Sequence, residues 1–197
     1  PSYAAAVFGA DTQLILDAAG NVSVPAATDS VWRNAAFIYV DANGNQSNTA
    51  SYGKDRWLYT AQLSNSDGVV YASFDSYGIT RVLDHFAAEN SDAFDELMYA
   101  SVFSYQTSFT SKAMPSGVYL AESWSPVKTV VDASGLSGTL RTHSTYTYDE
   151  GSPSGAFFGL VTSTITGLTS GTSLTAFNAQ VLAKTVNKYD PQVPGTV

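Results

Sequence analysis

Two histidines, His85 and His143, and the nearby Arg141 are the side chains in this 197-residue chain that most readily suggest chemistry. Histidine changes charge near neutrality and binds metals and haem. His85 stands between Asp84 and Phe86 on a predicted helix, at the edge of its apolar stripe. His143 alternates with Arg141, Thr145 and Thr147 along a predicted strand, and that company predicts a wet face. The two histidines fall on different elements, so they make no local two-histidine ligand set. Both read as structural or solvated. A haem or single-histidine metal site stays open, because the 12 tyrosines offer a second ligand. Polysaccharide cleavage on a β-scaffold, using tyrosine with His143 or Arg141, is a further alternative.

Other reactive patterns are weaker. Gly151-Ser-Pro-Ser-Gly155 resembles a nucleophile elbow, but Pro153 takes the nucleophile position, within a hairpin-like loop. Asp92, Asp95 and Glu96 are accounted for by a helix start. Asp149 and Glu150 are adjacent, so on a strand they point to opposite faces and make no glycosidase dyad. Asp41-Ala-Asn-Gly-Asn45 opens like a calcium loop, yet its glycine is misplaced and the twelfth position is Tyr52. Phosphate-binding glycine loops are absent. Asn21-Val-Ser23 and Asn45-Gln-Ser47 match the glycosylation sequon, a triplet common by chance. No catalytic residue, cofactor or metal ligand is assigned, and the chain is read as a non-enzyme.

Composition narrows the field further. With 17 acidic and 9 basic residues the net charge is −8, which disfavours sequence-specific binding to nucleic acid. There is no cysteine, so disulfides, thiolate metal sites and cysteine nucleophiles are excluded together. Charged residues make up only 13%, so Ser, Thr, Asn and Gln supply the polar surface, as in extracellular β-proteins and packed subunits. No apolar run is long enough for a membrane-spanning helix, and no membrane insertion is expected. Pro1–Ala10 lacks the features of a signal peptide. A start at Pro1-Ser2 reads as what trimming of an initiator methionine leaves.

The elements that must position these residues are mostly strands. Leu136–Asp149, Ala156–Thr166 and Ser173–Tyr189 are rich in Thr, Val, Tyr and Phe and are separated by the turn-like GSPSG and GLTSG. An apolar run followed by Asp-Ala-x-Gly recurs at Asp17, Asp41 and Asp132, and each predicts a hairpin turn. Arg56–Leu63 and Val69–Phe74 predict a hairpin, and Val102–Phe109 and Gly117–Trp124 further strands, with a turn or sheet edge at Pro126. Ile79, Val82, Leu83 and Phe86 follow the helical period. They predict a helical segment over 79–100, broken near Asn90 and packed on the sheet. The expectation is one mainly β domain over 1–197, an antiparallel β-sandwich or β-barrel with one helical segment. Pro1–Ala10 is either an arm or a first strand of the core, and 190–197 is an extended arm.

These features predict a structural subunit that assembles with copies of itself, most concretely a virion component such as a bacteriophage tail-tube or capsid-associated protein. Its expected interface includes Tyr3, Val7, Phe8, Tyr189 and Val193. A secreted or surface β-domain binding a ligand, as an adhesin or a glycan or haem carrier, is the alternative.

Overall fold

The computed structural model describes residues 3–10, 12, 16–21, 23–88, 95–106, 118–131, 133, 135, 137–153, 157–170 and 180–189. The described chain is mainly β, with eleven antiparallel strands and one α-helix. It divides into two compact units, Pro1–Asn90 and Ser91–Val197.

The first unit is a meander in which each strand pairs with the next: β1 (Tyr3–Phe8), β2 (Ala35–Val40), β3 (Gln46–Gly53), β4 (Arg56–Ser64) and β5 (Val70–Phe74). Its turns follow from local chemistry. Asp41 Oδ1 accepts the amides of Asn43 at 2.8 Å and Asn45 at 2.9 Å, which curls the chain until Gly44 takes φ +84°. Asp17 and Gly20 repeat this arrangement, and Asn65 and Gly68 reproduce it with asparagine as the acceptor. Asp132 lies outside the described residues. The β3–β4 turn is different. Lys54 and Asp55 both have positive φ, 51° and 61°, a two-residue turn that usually recruits Asn-Gly. The polar sequence of β3 and this unadvertised turn explain why β3 is not evident from sequence. It is nonetheless an inner strand, with Ala50 only 2% exposed. Ala35, Ala61, Ala72 and Phe74 complete the buried apolar set of this unit.

Helix α1 (Ser76–Ala87) begins earlier than its apolar period suggests, because Asp75 caps it by accepting the Gly78 amide at 2.7 Å. The helix lies against β4 and β5. Its expected buried stripe is only partly covered: Leu83 is 55% and Phe86 60% exposed. Asn90, Ser91 and Asp92 lie outside the described residues, and helical structure resumes as a short 3₁₀ turn at Glu96–Tyr99.

The second unit contains β6 (Ser101–Gln106), β7 (Tyr119–Trp124), β8 (Lys128–Val131), β9 (Ser137–Tyr148), β10 (Val161–Ser170) and β11 (Gln180–Val186). The order is β6-β7-β9-β10-β11, and β8 pairs with the start of β9. Pro126 separates β7 from β8, consistent with its missing donor. GLTSG is not a turn. Gly167–Ser170 continues β10, paired with β9 throughout and with β11 at Gly167 and Leu168, with a register shift at Thr166/Gly167 against β11. The extra residue is Leu182 of β11, opposite the Thr166–Gly167 step, and sequence alone does not separate a glycine at such a place from a turn. The predicted strand start at Ala156 also moves, to Val161, because the amides of Phe158, Gly159 and Leu160 turn toward Asp149.

Candidate functional site

Arg141 and His143 are not on a wet face. They are the largest fully buried side chains described, each 1% exposed. Both project from β9 toward the side that carries Glu122 and Trp124 of β7, through the pairings Trp124↔His143 and Glu122↔Thr145. The His143 ring stacks on Trp124 at 4.6 Å and 11°, and its Nε2 lies 2.9 Å from Glu122 Oε2. Arg141 Nε donates to Ser125 O at 2.8 Å, and its Nη2 to Ala100 O at 3.2 Å and Leu97 O at 3.4 Å. These carbonyls sit where β7 ends before Pro126 and around the 3₁₀ turn, outside the strands, and Leu97 O also accepts the Ala100 amide at 3.3 Å. A planar guanidinium suits such divergent acceptors. Burial pulls the Arg141 pKa below its usual value, while the Asp95 charge opposes that fall. Arginine stays charged across this range.

The alternation Arg-Thr-His-Ser-Thr reads as solvent-facing, and nothing in it signals carbonyls more than 40 residues away. A histidine–glutamate pair resembles a general base with its orienting partner. A base must come within hydrogen-bond reach of its substrate proton, and an imidazole 1% exposed beneath an indole does not. The glutamate side chain is 39% exposed and is the only part of this pair that meets solvent. The arrangement is a cross-strand lock joining β7 to β9.

A buried acid closes the β9–β10 loop. Asp149 is 3% exposed and has φ +55°. Its carboxylate accepts the amides of Phe158 (2.9 Å), Gly159 (2.8 Å) and Leu160 (3.2 Å), and the hydroxyl of Tyr189. Burial alone raises the Asp149 pKa, but the bonds from Tyr189 and the three amides outweigh it and hold the carboxyl below the usual range. Burial and then the facing carboxylate push the Tyr189 phenol up to about 12. Glu150 is exposed and accepts from Thr147 Oγ1, so the two adjacent acids diverge, but in the turn after β9 and not on the strand where the sequence sets them.

The remaining candidates stay apart. His85 lies on α1, part-exposed, with its ring edge-on to Phe86 at 5.8 Å. Asp41 spends both carboxylate oxygens on its own turn, and Asp95 caps the 3₁₀ turn. Among the described residues no group of three or more His, Asp or Glu is placed to hold a metal. No helix among them is long and apolar enough to cross a membrane.

The described members of the expected interface, Tyr3, Val7, Phe8 and Tyr189, lie near the ends of the described chain. Tyr3 and Val7 are exposed at 71% and 54% on β1, and Phe8 is half-buried against Trp32 at 5.5 Å. Tyr3–Phe8 is therefore a strand, though an exposed one, and Pro1 and Ser2 lie outside the described residues. Tyr189 turns back onto Asp149 of its own unit, and Val193 lies outside the described residues. Sequence reading missed β11 as part of this surface: Val181, Leu182 and Val186 are each at least 50% exposed. The signal was present in the apolar Val-Leu-Ala near the chain end.

Half-buried aromatic rings also form a run in the first unit. Phe8, Trp32, Phe37, Trp57 and Tyr52 follow one another at 5.5–5.7 Å, and the Arg33 guanidinium lies 4.8 Å over Tyr52. Comparison with known proteins adds no relative: no protein-family model, no curated protein and no solved structure matches this chain.

Proposed function

We propose that this chain is a structural subunit that assembles with copies of itself, most concretely as a virion component such as a bacteriophage tail-tube or capsid-associated protein. One observation carries the reading. The strands that end the pairing order in each unit, β1 and β11, are exposed along nearly their whole described length and rich in apolar side chains. Apolar edge strands invite pairing with another chain. The lock and the loop clasp in the second unit support the same reading, because each spends its reactive-looking side chains on holding strands together. An acidic chain of net charge −8 is suited to line a passage for nucleic acid without binding it.

Light scattering and negative-stain microscopy over a range of concentrations test this. Rings, fibres or discrete oligomers are expected. A monomer of 20.8 kDa at every concentration overturns it. The aromatic run with Arg33 favours a second reading, a secreted or surface domain that binds a ligand through stacked rings. Binding on a glycan array that Trp57→Ala abolishes, with the chain still monomeric, selects it over the first.

A further inference from the structure

We infer that copies join strand to strand, β1 of one copy pairing with β11 of the next. This deepens the assembly reading and rests on it. β1 pairs with β2 through six consecutive residues, without a bulge, and with no other described strand. Its outer edge therefore presents a row of backbone donors and acceptors. Proteins that stay single guard such an edge with charge, proline or a bulge. Tyr-Ala-Ala-Ala-Val-Phe has none of these.

β11 is the natural complement. It pairs with β10 alone among the described strands and at seven residues is close to the six of β1, though with Lys184 and a bulged Leu182 it is the less open of the two edges. Its exposed Val181, Leu182 and Val186 meet a strand that itself exposes Tyr3 and Val7. The alternative is pairing of like with like. Antiparallel β11–β11 pairing centred on Ala183 sets each Lys184 opposite the other copy's Leu182. The two ammonium groups then become diagonal neighbours on one face, at roughly 7–8 Å. In β1–β11 pairing Lys184 faces an uncharged strand. One contact between unlike edges also satisfies both at once. It leaves one β1 and one β11 for the next copies, so it propagates into a ring or a filament.

Two edge-blocked variants test the inference. Ala4→Lys with Ala6→Lys guards β1, and Leu182→Lys with Val186→Lys guards β11. Circular dichroism verifies that each keeps its sheet. The single substitutions Ala5→Lys and Val181→Lys replace any pair that does not. By light scattering, wild type is expected above 20.8 kDa and each variant alone at 20.8 kDa. An equal mixture is expected at twice that mass and no higher, because one intact β1 meets one intact β11. Variants that each dimerise alone, with no new species on mixing, overturn the unlike-edge pairing in favour of like edges. Variants that assemble as wild type does overturn edge pairing while leaving the assembly reading standing. A wild type that stays monomeric brings down both.

Discussion

The two units solve the same problem, satisfying polar groups within a sheet, at different ranges. In the first unit the side chains that organise the backbone act over a few residues. Asp17, Asp29, Asp41, Asn65 and Asp75 each hold amides two to four positions ahead. In the second unit the corresponding bonds run between distant segments. Arg141 reaches carbonyls 16, 41 and 44 residues away, His143 reaches Glu122 across 21, and Tyr189 reaches Asp149 across 40. A local turn is stabilised largely by itself and is exposed. A long-range buried bond exists only when the whole unit has formed, and losing one partner leaves the other dry and unsatisfied. Substitutions should therefore cost more in the second unit than in the first.

The sharpest test is Arg141→Met, which keeps much of the volume but strands the carbonyls of Ser125 and Ala100, while Leu97 O keeps the Ala100 amide. Losing hydrogen bonds from a charged group to two buried carbonyls costs about 3–6 kcal/mol in sum, at roughly 1.5–3 kcal/mol each. The urea midpoint should fall accordingly, with faster amide exchange concentrated in residues 95–189. A loss below about 1 kcal/mol would erase the contrast between the units.

Asp149→Ala should come next. It leaves three amides without their acceptor, at a cost on the order of 3 kcal/mol by urea unfolding. The same clasp predicts a pH signature. The carboxyl is held below its ordinary value, so its contribution is complete above the usual carboxylate pKa and is lost as pH falls through the lowered one. The Tyr189 phenol is raised to about 12, so its contribution is complete below the ordinary tyrosine value and is lost as pH rises through about 12. The stability difference between wild type and Tyr189→Phe should be level between roughly pH 5 and 10 and shrink at both ends. A difference constant from pH 2 to 12 would remove the clasp from the account.

The first unit supplies the small effects. Asp75→Ala removes the cap of α1 and should cost about 1 kcal/mol, with loss of helical circular dichroism. Asp55→Gly should stabilise, by up to about 1–2 kcal/mol, because glycine takes φ +61° without a side-chain clash. A cost for Asp55→Gly matching that of Asp149→Ala would show that local turns matter as much as the distant bonds.

How much was legible follows the same division. The strands at 56–64, 70–74 and 137–148 carry their period in their own residues, and the sequence-based boundaries fall within a residue or two. The turns at Asp17 and Asp41 were legible because acceptor and donors are neighbours. β3 was not, since its polar residues become strand-like only by lying between β2 and β4. Gly167 looked like punctuation and proved to be a paired strand residue opposite a bulge at Leu182. Arg141 and His143 looked wet because burial of a charge depends on partners the local sequence does not contain.

By itself the sequence determined a cysteine-free, acidic, sheet-forming chain, most of its strands, and the self-contained turns between them. All of that rests on interactions over a handful of residues, where propensity and side-chain-to-backbone bonds decide the outcome. Only the tertiary structure decided that Arg141, His143 and Asp149 are interior, and that β1 and β11 each pair on one side among the described strands. Those outcomes depend on which distant strands become neighbours. A polar group is stable inside only where the fold brings it a partner, and a strand is an edge only when no other strand arrives.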